Sequence, residues 1–194
     1  AGLVRLAERA EPALVRELAD DEGTAMRLLS VLGASQALTD HLCRHPEHWR
    51  ELADPFLGST RPAAYALRGA LLTAVGADPA DDRPTATLPY AEAVDALRVE
   101  YRRLLTRLTA RDLAHHVGVD DASAELSDLA AGTLEAALAI ARAGTADSDA
   151  ARLSVVALGK CGGHELNYVS DVDVLYVFEP ADDVEEATAA RVAT

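Results

Sequence analysis

The hydrophobic period of this chain changes once, near residue 150, and that change limits the fold more than any other feature. Upstream, apolar residues recur at helical spacing. Leu3, Leu6, Ala7, Ala10, Leu14 and Leu18 make a first stripe, and Met26–Leu32 follows Thr24 and stops at Gly33. Ser35 offers an N-cap for a helix over 36–44, and Pro46 opens a short turn through Trp49 and Leu52. Residues 61–75 form an alanine-rich apolar run ending at Gly76. Residues 76–89 hold three prolines and three aspartates, which marks a loop. A long helix is predicted from Tyr90 to about His116, with Leu97, Tyr101, Leu104, Leu105 and Leu108 on one face. A last long helix is predicted from Ser123 to about Arg142. Forty alanines against 4% aromatic residues suit helices packed closely through small side chains.

Downstream the pattern is that of strands. Leu153–Leu158 and Val172–Phe178 are short β-branched apolar runs, and both read as buried strands. Three glycines in five residues, 159–163, lie between them. Pro180 closes the second run, and a helix with acids in its first turn is expected from Asp182. The fold class is therefore α+β, in three parts: a helical region (1–143), a small, polar, acidic linker (144–151), and the start of a sheet-containing catalytic domain (152–194). Two strands alone make a poor sheet, so further strands are expected to cover them. Position 1 is Ala, and the chain stops inside an apparent helix; we expect a piece of a longer protein.

Charge narrows the function. Eighteen Lys and Arg against 32 Asp and Glu leave a net charge of −14. A chain this acidic repels phosphate backbones and anionic membranes, so neither nucleic acid nor a membrane is an expected partner. No run of 18 apolar residues spans a bilayer, and the charged N-terminal stretch is no signal peptide. Cys43 and Cys161 make no disulfide framework, which suits the cytoplasm.

The chemistry is concentrated in residues 158–173. Asp171 and Asp173 stand two apart, so on a strand both carboxylates would share one face while Val172 and Val174 face the core. Paired carboxylates attract a hard divalent cation such as Mg²⁺, which keeps water and substrate phosphates in its other positions. Gly159, Gly162 and Gly163 let the backbone approach a phosphate, and Lys160 and Ser170 could add a charge and a hydroxyl. Carboxylate-held metal beside such a cradle is equipment for phosphoryl or nucleotidyl transfer. A P-loop fails here, because the positions it requires are Ser154 and Cys161, and the dinucleotide fingerprint is absent.

From Gly159 to Asp173 the chain reads GKCGGHELNYVSDVD, which resembles the motif G-K-x-G-G-x-E-L-N-x-x-S-D-x-D of the glutamine synthetase adenylyltransferase/adenylyl-removing enzymes. Leu32–Ser35, His45–Trp49, Arg111–Leu113 and Glu125–Ala130 look like the helical region that precedes that family's first catalytic module. Cys161 stands where many members have Leu, and the composition resembles actinobacterial members. The resemblance implies a polymerase-beta-like nucleotidyltransferase domain with helical additions. It implies the adenylyl-removing half, in which phosphate attacks adenylyl-tyrosine of glutamine synthetase and ADP leaves; the other half adds AMP from ATP. Asp171 and Asp173 would hold Mg²⁺, and the glycine loop would seat the phosphates. A third carboxylate would come from a later strand, so this chain alone should be inactive. A PII-type signalling protein is the effector the family suggests. Two other readings stay open: a nucleotidyltransferase for another protein or a small molecule, and a non-catalytic helical interaction domain.

Other residues have plainer readings. His41, Cys43, His45 and His48 suggest zinc, but Pro46 interrupts the helix and no second cluster completes four ligands. His115 and His116 suit a helix C-terminus. Arg98, Arg102, Arg103, Arg107 and Arg111 read as pairing with nearby acids rather than docking an acidic partner. Cys161 reads as a passive residue and Trp49 as a packing anchor.

Overall fold

The computed structural model describes residues 1–58 and 61–194. Its helices are α1 (Gly2–Ala7), α2 (Ala13–Asp20), α3 (Glu22–Ala34), α4 (Gln36–Arg44), α5 (Ala64–Ala74), α6 (Tyr90–Leu113), α7 (Val119–Gly144), α8 (Gly159–Gly162) and α9 (Glu186–Ala193). Two strands, β1 (Ala151–Ala157) and β2 (Val174–Pro180), flank α8, and 3-10 segments cover Pro46–Ala53 and Ser148–Ala150. These elements divide into two compact units: Ala1–Pro62 with Tyr101–Ala122, and Ala63–Glu100 with Ser123–Thr194. Residues 144–151 run from the last residue of α7 through a turn and a 3-10 segment to the first residue of β1, and both sides of that stretch belong to the second unit.

Capping side chains set the helices of the first unit. Asp21 accepts from the Gly23 and Thr24 amides, so α3 starts four residues before the expected Met26. Ser35 accepts from the Leu38 amide and starts α4 as expected. The apolar stripes then bury Leu6, Leu14, Leu28, Leu42 and Leu52 completely, each worth about 1.5–3 kcal/mol of hydrophobic free energy. Trp49 packs into the same core, as an anchor should. Arg27 reaches through this layer to donate from Nε to the Leu52 carbonyl at 2.7 Å. Glu51 receives Arg103 at 2.5 Å and Arg107 at 2.9 Å, fastening the second half of α6 to the 3-10 segment. Burial pushes the Glu51 carboxyl up, but the two guanidinium bonds outweigh it and leave the pKa below the usual range.

In the second unit, α5 and α7 approach closely at Gly132. A Cβ there would meet Leu71 Cδ1 at 2.9 Å and Arg68 Cα at 3.2 Å. Arg68 forks onto Glu135 at 2.7 and 2.6 Å, tying the same two helices. The loop over 76–89 is fixed rather than loose: Ala86 N–H donates to the Ala139 carbonyl at 3.0 Å and Arg142 to the Pro84 carbonyl at 3.1 Å. Arg83 donates to the Ser148 and Ala151 carbonyls at 2.8 and 3.0 Å, which sets where β1 starts.

β1 and β2 pair antiparallel, with Ala157 opposite Val174 and Ala151 opposite Pro180. Leu153, Val155, Tyr176 and Phe178 share one face; Leu153 and Val155 line a cavity of about 320 Å³ with Leu134 and Leu138 of α7. Val156, Leu175 and Val177 share the other face and are 43, 52 and 48% exposed. The expected second strand is thus shifted by two residues, to 174–180, and it is exposed rather than buried. Its continuous apolar run, Val174–Phe178, is that of a strand covered on both faces, and among the described residues the face of Val156, Leu175 and Val177 stays about half exposed. The last helix also starts later than Asp182. Asp183 has φ 63, a left-handed conformation that no helix interior accepts, so α9 begins at Glu186.

Candidate active site

The glycine segment is a single tight turn clipped between the two strands. Past the Ala157–Val174 pair, the Leu158 N–H still donates to the Asp173 carbonyl, at 2.8 Å. Gly159 follows with φ 53, a conformation that side chains resist. A Cβ on Gly159 would lie 3.4 Å from Asp173 Oδ2, so the carboxylate sits against this bare backbone. The chain then makes α8, with Gly162 N–H donating to Leu158 O at 3.1 Å and Gly163 N–H to Gly159 O at 3.0 Å. Gly162 passes so close to the end of β1 that a Cβ would stand 2.4 Å from the Ala157 carbonyl oxygen.

A Schellman closure ends the turn. His164 N–H donates to Cys161 O at 3.2 Å and Glu165 N–H to Lys160 O at 2.8 Å, with His164 itself left-handed at φ 57. That position usually takes glycine; histidine is among the few side-chain residues enriched there. Two side chains of α7 face the closure. Asp128 Oδ1 lies 3.7 Å from His164 Nδ1, and Ser127 Oγ accepts the Leu166 N–H at 3.4 Å. Asp128 and Leu166 are 8% and 6% exposed.

The predicted site residues divide accordingly. Gly159, Gly162, Gly163 and Asp173 are brought together around one turn. Lys160 is exposed, and its Nζ donates to Asn167 Oδ1 at 3.2 Å, a partner the sequence reading did not assign. Ser170 is half-buried and Asp171 exposed, with no hydrogen bond to the glycine turn among the described residues. Asp171 and Asp173 precede β2 rather than lying on it, and Val172 is 36% exposed rather than facing a core. The reason is the partner strand: the chain leaves β1 at Leu158 to form α8, so no residue remains to pair with Asp171. No basic side chain among the described residues pairs with either carboxylate. Asp173 stands against the turn at Gly159, and Asp171 is an exposed carboxylate two residues before it; such hard-oxygen donors suit a cation keeping most of its water and phosphate ligands. Among the described residues no group of three or more His, Cys, Asp or Glu side chains is arranged to hold a metal. Cys161 is buried at 4% exposure, which pushes its thiol pKa up and keeps it protonated.

The other polar cluster is differently built. His41 is 1% exposed, and its Nε2 lies 3.0 Å from His48 Nδ1, so these two rings use their nitrogens on each other. His45 stacks on His48 with centroids 5.4 Å apart, and Cys43 belongs to the apolar core. His115 is no simple dipole partner for α6: at φ 58 it occupies the left-handed cap, with His116 N–H donating to Arg111 O at 2.9 Å. Arg98 pairs with Asp95 at 3.3 Å, and Arg103 and Arg107 with Glu51, in line with an internally paired face.

Residues 25–194 match the sequence family described as glutamate-ammonia ligase adenylyltransferase. The chain belongs to that family. Its relatives include proteins named bifunctional glutamine synthetase adenylyltransferase/adenylyl-removing enzyme. That of Streptomyces avermitilis is 45% identical and that of Streptomyces coelicolor 47%, each over all of this chain. That of Cutibacterium acnes is 43% identical over 92% of it. The chain spans 18% of the length of each of these relatives. No solved structure matches it. Among the described residues no helix is long and apolar enough to cross a membrane.

Proposed function

We propose that this family member contributes, in the cytoplasm, the opening of a polymerase-beta-like nucleotidyltransferase site that removes AMP from a tyrosine of glutamine synthetase by phosphorolysis. The observation that carries the reading is the clip between β1 and β2, which sets the Asp173 carboxylate 3.4 Å from where a Gly159 side chain would begin. A phosphate approaching Gly159 therefore meets backbone and carboxylate together. The uniform naming of the relatives supports glutamine synthetase as the substrate protein.

Asp171 and Asp173 would hold Mg²⁺, which when bound draws charge from the phosphorus and screens the incoming anion. The chain's own residues do the positioning. Gly159 and Gly163 leave bare backbone for phosphate oxygens, Gly162 lets the turn pack against the Ala157 carbonyl, and Lys160, steered by Asn167, supplies positive charge at the rim. Ser170, just before the carboxylates, offers a hydroxyl. In the reaction an oxygen of inorganic phosphate forms the new P–O–P bond, the bond from phosphorus to the tyrosyl oxygen breaks, and the proton of hydrogen phosphate passes to that oxygen. ADP and the unmodified tyrosine side chain of glutamine synthetase result. A PII-type protein would set when this occurs.

The test mixes the full-length protein with adenylylated glutamine synthetase, phosphate and Mg²⁺ and measures ADP. ADP that disappears with Asp171→Asn and with Asp173→Asn supports the proposal. AMP transfer from ATP without ADP formation assigns the adding direction instead, and neither activity points to another substrate or an interaction role.

A further inference from the structure

Glu125–Ala130, one of the stretches that resemble the family's helical region, lies on α7. The structure gives two of its residues a task. Ser127 sits 2% exposed with both hydrogen-bonding capacities of its hydroxyl in use: Oγ donates to the Ser123 carbonyl at 2.9 Å and accepts the Leu166 N–H at 3.4 Å. Asp128, the next residue, places Oδ1 3.7 Å from His164 Nδ1. Both reach the same three-residue segment, 164–166. That segment is the closing half of the glycine turn, since Glu165 N–H and His164 N–H return to Lys160 and Cys161.

We propose that Ser127 and Asp128 are positioning residues that clamp the glycine turn onto α7 and thereby fix Gly159 and Lys160 relative to Asp173. Three observations support it. His164 holds a left-handed backbone without being glycine, so its conformation needs support from its surroundings, and Asp128 is the charged group facing it. Leu166 is buried at 6% although its neighbours Glu165 and Asn167 are exposed, so the segment is anchored at one point, where Ser127 takes its amide. The opposite end of the turn is held to β2 by the Leu158–Asp173 bond. Held at both ends, the five residues between, 159–163, have little freedom; released at the α7 end, they hinge about Leu158. Neither Ser127 nor Asp128 touches substrate. Their effect is on where the backbone and Lys160 stand when phosphate arrives.

The role in catalysis rests on the function proposed above; the clamp itself does not. The experiment therefore has two arms on the full-length protein. Hydrogen exchange by mass spectrometry over residues 159–170 compares the wild type with Ser127→Ala, Ser127→Thr and Asp128→Asn. Loss of the bond should speed exchange in this segment about two- to tenfold, with the rest of α7 unchanged, and Ser127→Thr should restore protection. In the second arm, ADP release well below the unfolding temperature should show kcat falling about tenfold in Ser127→Ala and Asp128→Asn, with half-saturation for phosphate raised and KM for glutamine synthetase unchanged. Unchanged exchange in 159–170 overturns the clamp. Faster exchange with unaltered kcat overturns the positioning role while leaving the enzyme assignment standing. A wild type without turnover overturns the enzyme assignment, and the exchange arm still decides the clamp.

Discussion

Replacing Gly162 by alanine should damage this protein in a way that replacing its neighbour Gly163 does not. The added Cβ at 162 would lie 2.4 Å from the Ala157 carbonyl oxygen and 3.0 Å from its carbon. Both are backbone atoms of β1, paired to Val174, and they cannot swing aside as a side chain would. An ordinary contact is roughly 3.5 Å, so the turn must retreat by about 1 Å. Forced shifts of that kind cost about 1–3 kcal/mol. For a chain of this size that lowers the unfolding temperature by about 2–4 °C per kcal/mol. At Gly163 the nearest non-neighbour atom is Gly159 O at 3.4 Å and the backbone is ordinary at φ −83, so alanine should be tolerated within about 0.5 kcal/mol. Circular dichroism melting of wild type, Gly162→Ala and Gly163→Ala measures both, and ADP release adds the functional side. Gly162→Ala should lose stability and turnover together, the latter by about a hundredfold for a displacement near 1 Å. Gly163→Ala should melt like the wild type and lose turnover only, because its side chain occupies the phosphate's approach. Equal melting temperatures for wild type and Gly162→Ala would refute the claim that this turn is wedged against β1. Full turnover in Gly163→Ala would refute a phosphate at that backbone.

Three further outcomes follow from the packing. Glu135→Gln breaks the forked bond to Arg68 between α5 and α7; at one-third exposure the loss should be about 1 kcal/mol, read by urea unfolding, and no loss would mean the pair is cosmetic. Burial first, then the charges of His48 and His45, hold the His41 pKa at about 4 against the usual 6.5. Between those values the unfolded chain binds more protons than the folded one, so stability should fall as pH drops from about 6.5 to 4, by at most roughly 3 kcal/mol, and stay flat above. Urea unfolding at pH 7.5, 5.5 and 4.5 measures this, and a slope unchanged by His41→Gln would assign it elsewhere. Glu51→Gln should cost about 1–3 kcal/mol, because Arg103 and Arg107 lose the carboxylate they share; a melting curve like the wild type's would contradict that.

What the sequence disclosed depended on whether the signal was local. Ser35 and Gly76 mark a helix start and a helix end, and the structure uses both, with Gly76 left-handed at φ 77. His115 and His164 perform the same closure as Gly76, but histidine carries no such signature, so the helix end expected near His116 is found there while its left-handed closure, like the close of the glycine turn, is not legible. Asp21 is not legible as the cap, because Asp20, Asp21 and Thr24 are all cap-forming residues ahead of the apolar run. The strands were visible as β-branched runs, but their register was not, and the approach of Gly159 to Asp173 exists only through that register. The strand expected at Val172 fails for the same reason: alternation is local, whereas a ladder needs a partner, and β1 ends opposite Val174. Ser127 and Asp128 lie about 39 residues from the segment they face, beyond the reach of any spacing rule.

The central claim is that the carboxylates and glycine turn serve phosphorolysis, and isotopically labelled phosphate tests it most directly. The full-length protein, adenylylated glutamine synthetase and Mg²⁺ would be supplied with ¹⁸O-phosphate, and the nucleotide product weighed by mass spectrometry. The account predicts ADP carrying the label in its β-phosphoryl group, and none from Asp171→Asn or Asp173→Asn. Release of AMP, or of ADP without label, would contradict it.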